Sequence, residues 1–139
     1  MALEEQDNQM GLTQIVRFPT SHAPGWPAVR DLLAAHQCVL QIRMIDGELA
    51  FPDEEPGENW RELRLATQEG LALTVKRETA RAELIIWGNA DRTLIRAWNA
   101  LTWAFAETGQ GIICTESGEQ TPSEYLNHAD VPWKPCGSG

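Results

Sequence analysis

The run Leu84-Ile-Ile-Trp-Gly-Asn-Ala-Asp, with about eighteen helix-compatible residues behind it, constrains the fold more than any other stretch, because it joins a buried-type strand to an amphipathic helix. Asn89 suits an N-cap, its side-chain oxygen accepting from the free amides of the first turn, and Asp91 favours the positive end of the helix dipole. A helix is therefore expected from Ala90 to residue 108. Leu94, Trp98, Leu101 and Phe105 recur at steps of four, three and four, which gathers them into one core-facing stripe, and Gly109 supplies a left-handed stop. Trp103 falls about 180° around this helix from Leu94, among Arg92, Arg96, Asn99 and Glu107. It is either laid over its own helix and covered by another segment, or an exposed anchor for a partner. The second alternative implies a homodimer through the Trp103 and Arg96 face.

One α+β domain is the expectation for 139 residues with 42% hydrophobic content and six Trp. The formal charge of -9 marks an acidic protein, yet Glu4, Glu5, Asp7, Asp53, Glu54, Glu55 and Glu58 crowd into an N-terminal arm and one loop, leaving 13 acids against 11 bases elsewhere. Nucleic acid is not an expected partner, since phosphate binding needs clustered Lys and Arg. No stretch reaches the ~18 apolar residues of a membrane span and the first residues lack signal-peptide character, so no membrane partner and a cytoplasmic location are expected. Cys38, Cys114 and Cys136 show no CxxC spacing, which favours reduced thiols.

Residues 1–10 read as a flexible arm, 11–133 as the single domain and 134–139 as a flexible tail. Leu12 to Phe18 reads as a strand, and Pro27 opens a short helix carrying Val29, Leu32, Leu33 and His36 on one side. Cys38, Leu40, Ile42 and Met44 then alternate with Val39, Gln41, Arg43 and Ile45, and Asp46-Gly47 makes a tight hairpin turn. The loop from Pro52 to Asn59 resists regular structure. Leu63 and Leu65, Leu71 to Val75, and Leu84 and Ile86 supply further apolar half-faces. Ile112 to Thr115 adds a strand, Thr121-Pro122-Ser123-Glu124 is a capping box opening a last short helix, and Val131 to Trp133 pins the chain by burying an aromatic. The expected architecture is a two-layer α+β fold: an antiparallel meander packed by one long helix, with short helices near both ends. The order of its elements is similar to that of secretion-chaperone-like folds, a likeness of order alone that implies no function.

The second face of such a sheet would carry Val39, Gln41, Arg43, Trp60, Glu62, Arg64, Thr74, Lys76, Glu83, Ile85 and Trp87. Either the chain's own helices fold over it, or it stays open as an aromatic and charged contact surface. Three His and three Cys give no spacing for a nucleophile with its base, and His36, Cys38, His128 and Cys136 lack the paired spacing of a zinc site. The acidic loop lacks the alternation of an EF-hand, and the glycines form no phosphate-binding motif. No catalytic, cofactor or metal-binding residue is assigned. The sequence thus points to a non-enzymatic protein-interaction domain, adaptor- or chaperone-like, with Trp60, Trp87, Arg43, Arg64, Trp103 and Arg96 as its interaction residues and a protein partner or a second copy as its occupant. The competing expectation is a small-molecule-binding protein or enzyme with a pocket between the sheet and the long helix, lined by Trp98 and Phe105.

Overall fold

Period-two patterning along the chain becomes one antiparallel sheet in the computed structural model, which describes residues 11–19, 22–88 and 91–134. The elements run β1 (Gly11–Arg17), α1 (Trp26–Ala35), β2 (Gln41–Ile45), β3 (Glu48–Leu49), β4 (Glu62–Ala66), β5 (Ala72–Glu78), β6 (Arg81–Trp87), α2 (Arg92–Gly109), β7 (Ile112–Thr115), β8 (Gly118–Gln120) and α3 (Pro122–His128). Across the sheet their order is β3-β2-β4-β5-β6-β1-β7-β8. This is the expected α+β fold, with the long helix packed on an antiparallel sheet and short helices near both ends. The 1–10 arm, the Asn89 cap, Ala90 and all but Lys134 of the 134–139 tail, Cys136 included, lie outside the described residues.

Local chemistry sets the strand register. Asp46 and Gly47 both have positive φ, 51° and 86°, the conformation a two-residue hairpin turn requires. Oδ1 of Asp46 also accepts from the amides of Arg61 and Glu62, each at 2.8 Å, so the turn residue clamps the start of β4 beside β2. Between Ile42, paired with Leu65, and Met44, paired with Arg64, the ladder shifts by one residue at Arg43. This bulge corrects the strict alternation expected for β2: Met44 turns to the outer face, while Ile45, opposite Leu63, packs against the core. The return strand β3 sits outside β2 rather than beside β4, so the meander is broken there, and β8 is a strand that composition did not announce.

The inner face of the sheet is a continuous apolar floor. Ile42, Leu65 and Leu73 form one cross-strand row, Leu63, Val75 and Leu84 the next, and Ala82, Val16 and Ile113 another, all buried. Helix α2 lies on this floor. Asp91 caps it: the Asp91 carboxylate accepts from the Leu94 amide at 3.0 Å, and the helix begins at Arg92, two residues beyond the expected start. The expected stripe holds for Leu94, Leu101 and Phe105, which are buried. Trp98 is only partly buried and donates its indole N–H to the Leu84 carbonyl at 2.8 Å. Every residue from Ala100 to Ala106 is buried, because α1 packs along another side of α2 and the C-terminal segment along a third.

The left-handed stop falls on Gln110 (φ 57°, ψ 46°), one residue beyond the expected Gly109, which is the last helical residue. Glycine serves there for a different reason, since a Cβ at position 109 would stand 2.5 Å from Phe18 Cε1 and 2.9 Å from Pro24 Cδ. Phe18 is itself buried, so it has no free space into which to retreat. Gly109→Ala is expected to lower stability by ~1–3 kcal/mol through overpacking. Urea unfolding monitored by tryptophan fluorescence checks this, and an unchanged midpoint would show that the helix end can move away from Phe18.

Candidate interaction surface

The strands leave two faces with different fates. All three helices lie on the inner side: α2 contacts β6, β1 and β7, α1 packs on α2, and α3 contacts α2, β7 and β8. Among the described residues no helix covers the outer face. One row across it reads Met44, Arg64, Thr74, Ile85 and Thr13, and the next Glu62, Lys76, Glu83 and Ile15. Thr74 and Ile85 are buried in the middle of the face, Arg64 and Lys76 are exposed, and Glu83 is paired with Arg81 at 2.6 Å. At one end Trp87 pairs with Gly11 and lies over it, a Cβ at that position falling 3.2 Å from the indole ring. Trp87 is 48% exposed, whereas the other five indoles are buried or half-buried. Arg43 is exposed at the bulge on β2.

Three residues expected on an interaction surface are engaged inside the chain instead. Trp60 is 3% exposed. The chain before β4 is a turn, with the Trp60 amide donating to Gly57, so the two-residue alternation does not extend back to position 60. Its ring meets Phe105 edge to face at 6.3 Å, and the Arg77 guanidinium stands 4.1 Å from its centroid. Arg77 also donates to the carbonyls of Trp60, Pro24 and Glu58, tying two loops to β5; burial disfavours its charge and the nearby Asp46 carboxylate favours it. The Trp60 indole N–H is buried without an acceptor among the described residues.

Trp103 is 6% exposed, so it is covered by the chain itself and not presented as a surface anchor. Its helical phase is as expected, opposite Leu94, but His36 at the end of α1 and Trp133 of the C-terminal segment cover it, at ring distances of 5.2 and 5.4 Å. Arg96 belongs to the same closure. It donates to the carbonyls of Val131 and Lys134 and lies 3.1 Å from Asp130, whose other oxygen takes Arg92 at 2.8 Å. Lys134 in turn donates its ammonium to the carbonyls of Leu126 and Ala129. Periodicity alone cannot reveal this cover; the signal available in the sequence was Trp133 itself, an aromatic needing a place to be buried.

The polar residues that converge in space do so in an open cleft of about 630 Å³ between β1, α2 and α3, lined by Gln14, Trp98, Asn99, Tyr125 and His128 among others. The Tyr125 hydroxyl donates to Gln14 Oε1 at 2.6 Å and stands 3.0 Å from Asn99 Oδ1, which accepts from Gln14 Nε2 at 3.0 Å. Burial raises the Tyr125 hydroxyl above its usual range, the Gln14 bond opposing this, so it remains a neutral donor. Trp98 lines this cleft but Phe105 is sealed in the core. The thiol of Cys38 is pushed up to about 11 by burial, which makes it a poor nucleophile at neutral pH. His36 spends its ring on Trp103 and Trp133, and His128 bonds to Gln120 at 2.8 Å. Among the described residues no three His, Cys, Asp or Glu side chains gather closely enough to hold a metal ion, and no helix is long and apolar enough to cross a membrane. Comparisons with protein families, with curated proteins and with solved structures find no match.

The closure over Trp103 has a pH signature. Hydrogen bonding and charge from Arg92, aided by Arg96, hold the Asp130 carboxyl below its ordinary 3.8. A folded-state value below the unfolded one gives stability that is present above 3.8 and lost as pH falls through the lower, folded value. Asp130→Asn is therefore expected to flatten the acid side of the stability curve and to raise Trp133 exposure to acrylamide quenching. An acid limb identical to wild type would show that the Asp130 pairing does not hold the segment down.

Proposed function

We propose that this chain is a non-enzymatic protein-interaction domain, adaptor- or chaperone-like, that meets a protein partner or a second copy through the helix-free face of its sheet. The observation that carries the proposal is Trp87, a large indole left half-exposed at one end of a face that also presents Arg43 and Arg64. Trp and Arg are the residue types enriched where binding energy concentrates, and a broad face with a few such anchors suits macromolecular recognition better than small-molecule capture. Free thiols at Cys38 and Cys114 favour a reducing compartment, in keeping with a cytoplasmic role.

The test is a Trp87→Ser, Arg64→Glu double variant. Arg64 is exposed and Trp87 buries about half of its indole against Gly11, so stability should fall by no more than about 1–3 kcal/mol and the fold should persist. Association is expected to weaken by roughly tenfold or more, read by sedimentation for self-association and by titration against whatever protein co-purifies quantitatively with wild type alone. Retention of every association by the double variant would sink the proposal.

A second reading is favoured by the Gln14–Asn99–Tyr125 cleft, where polar groups converge beside Trp98 between the sheet and the long helix. In that reading the protein binds a small polar molecule. A compound that raises the melting temperature of wild type but not of an Asn99→Ala variant would favour it over the sheet-face proposal.

A further inference from the structure

The two most exposed large apolar side chains of the described residues lie at the β3 edge of the sheet, away from Trp87 on the interior strand β6. Leu49 is 87% exposed and Phe51 75%. Leu49 belongs to β3, the outermost strand, which is paired on one side only, by β2. The Ala50 amide donates inward to Arg43 at 3.0 Å. Because successive residues of a strand point their backbone groups to opposite sides, the amide and carbonyl of Leu49 face the open edge. Side chains this exposed add little apolar burial to the fold, so packing does not account for them.

The chain segment that carries them holds one sign of charge, while Arg43 and Arg64 stand on the neighbouring strands. Residues 44–60 hold Asp46, Glu48, Asp53, Glu54, Glu55 and Glu58 and no Lys, Arg or His. A groove of about 310 Å³ runs beside β3, lined by Asp46, Glu48, Leu49, Ala50, Glu54 and Glu55 among others. Some of these acids are employed within the chain: Asp46 holds β4, Glu54 accepts from the Phe51 amide at 3.1 Å, and Glu55 takes Arg30 at 3.0 Å. Of the acids that line this groove, Glu48 has no hydrogen-bonded or ion-paired side-chain partner among the described residues. A second copy seated here would set the four acids of the groove against their own copies, which opposes self-pairing along this edge, and nucleic acid would be repelled in the same way.

We propose that the β3 edge docks an extended basic segment of a partner protein, whose apolar side chains meet Leu49 and Phe51 while its Lys or Arg residues meet Glu48 and the other carboxylates lining the same groove. This rests on reading the chain as an interaction domain and names the chemistry of one partner; the mode is strand addition to an exposed edge, with backbone bonds for affinity and side chains for selectivity. The charge pattern makes the contact salt-sensitive, and the apolar pair makes it more than a charge effect.

The experiment uses the full chain and a fluorescently labelled peptide of alternating lysine and valine, followed by anisotropy. Wild type is expected to bind it, more weakly as salt rises, and Leu49→Ser, Phe51→Ser is expected to bind it roughly tenfold less well with an unchanged circular dichroism spectrum and melting temperature. A Trp87→Ser variant, altered on β6 and away from β3, should keep wild-type affinity for the peptide, which separates failure at the edge from failure at the sheet face. Equal binding by wild type and Leu49→Ser, Phe51→Ser would overturn the proposal, as would equal binding of a lysine–glycine peptide without valine or of a glutamate–valine peptide.

Discussion

Burying one helix on every side is the constraint around which this chain is organised. From Ala100 to Ala106 the helix α2 has no solvent-facing residue, so the sheet can satisfy only part of its circumference. The remainder needs two further covers, and the chain supplies them from opposite ends: α1 with His36, and the segment from Asp130 to Lys134 with Val131 and Trp133. Small residues at Ala97, Ala100, Ala104, Ala106 and Gly109 let these neighbours approach closely. Polar ties finish the closure where apolar packing ends, at Arg96 with the Val131 carbonyl and at Asn99 with the Asp130 carbonyl. With three helices committed to that side, none among the described residues remains for the outer face of the sheet, and its open character there follows from how these helices are spent.

The sequence was most legible where structure is decided locally. The Asp46-Gly47 turn, the capping box at Thr121 and the apolar period of α2 rest on neighbours a few residues away, and each appears at or near its expected place. What was not legible depends on distant parts of the chain. Trp103 was placed correctly by helical phase, but whether it is covered depends on a segment thirty residues later, folded back by Arg96 and Asp130. Trp60 was assigned to the outer face by extending strand alternation past the point where the strand begins, and the turn at Gly57 sends it inward. The bulge at Arg43 exchanges the sides of Met44 and Ile45, and both are apolar enough that neither side chain announces the exchange.

Of the expected interaction residues, Trp87, Arg43 and Arg64 remain at the surface, while Trp60, Trp103 and Arg96 are structural. The distinction has a chemical basis. An indole beside a buried cation or another ring, as at Arg77 or Trp133, completes a packed cluster, whereas Trp87 rests on a glycine and meets solvent. The acidic loop likewise proves mixed: Glu54 and Glu55 have partners inside the chain, so a run of like charges that looks uniformly solvating in the sequence divides into tethers and free carboxylates.

The position of β1 bears on how the molecule is made. It lies between β6 and β7, pairing Gly11 with Trp87 on one side and Ile15 with Cys114 on the other. The strands from β2 to β6 can associate as each leaves the ribosome, because their partners are near in the chain. The strand synthesised before them has no neighbour until residue 81 emerges, and its second neighbour is more than thirty residues later still. Non-local pairing of this kind slows the final closure of a sheet and leaves an apolar strand waiting with an unpaired backbone. For much of its synthesis, an interior strand of the finished sheet is therefore a loose end.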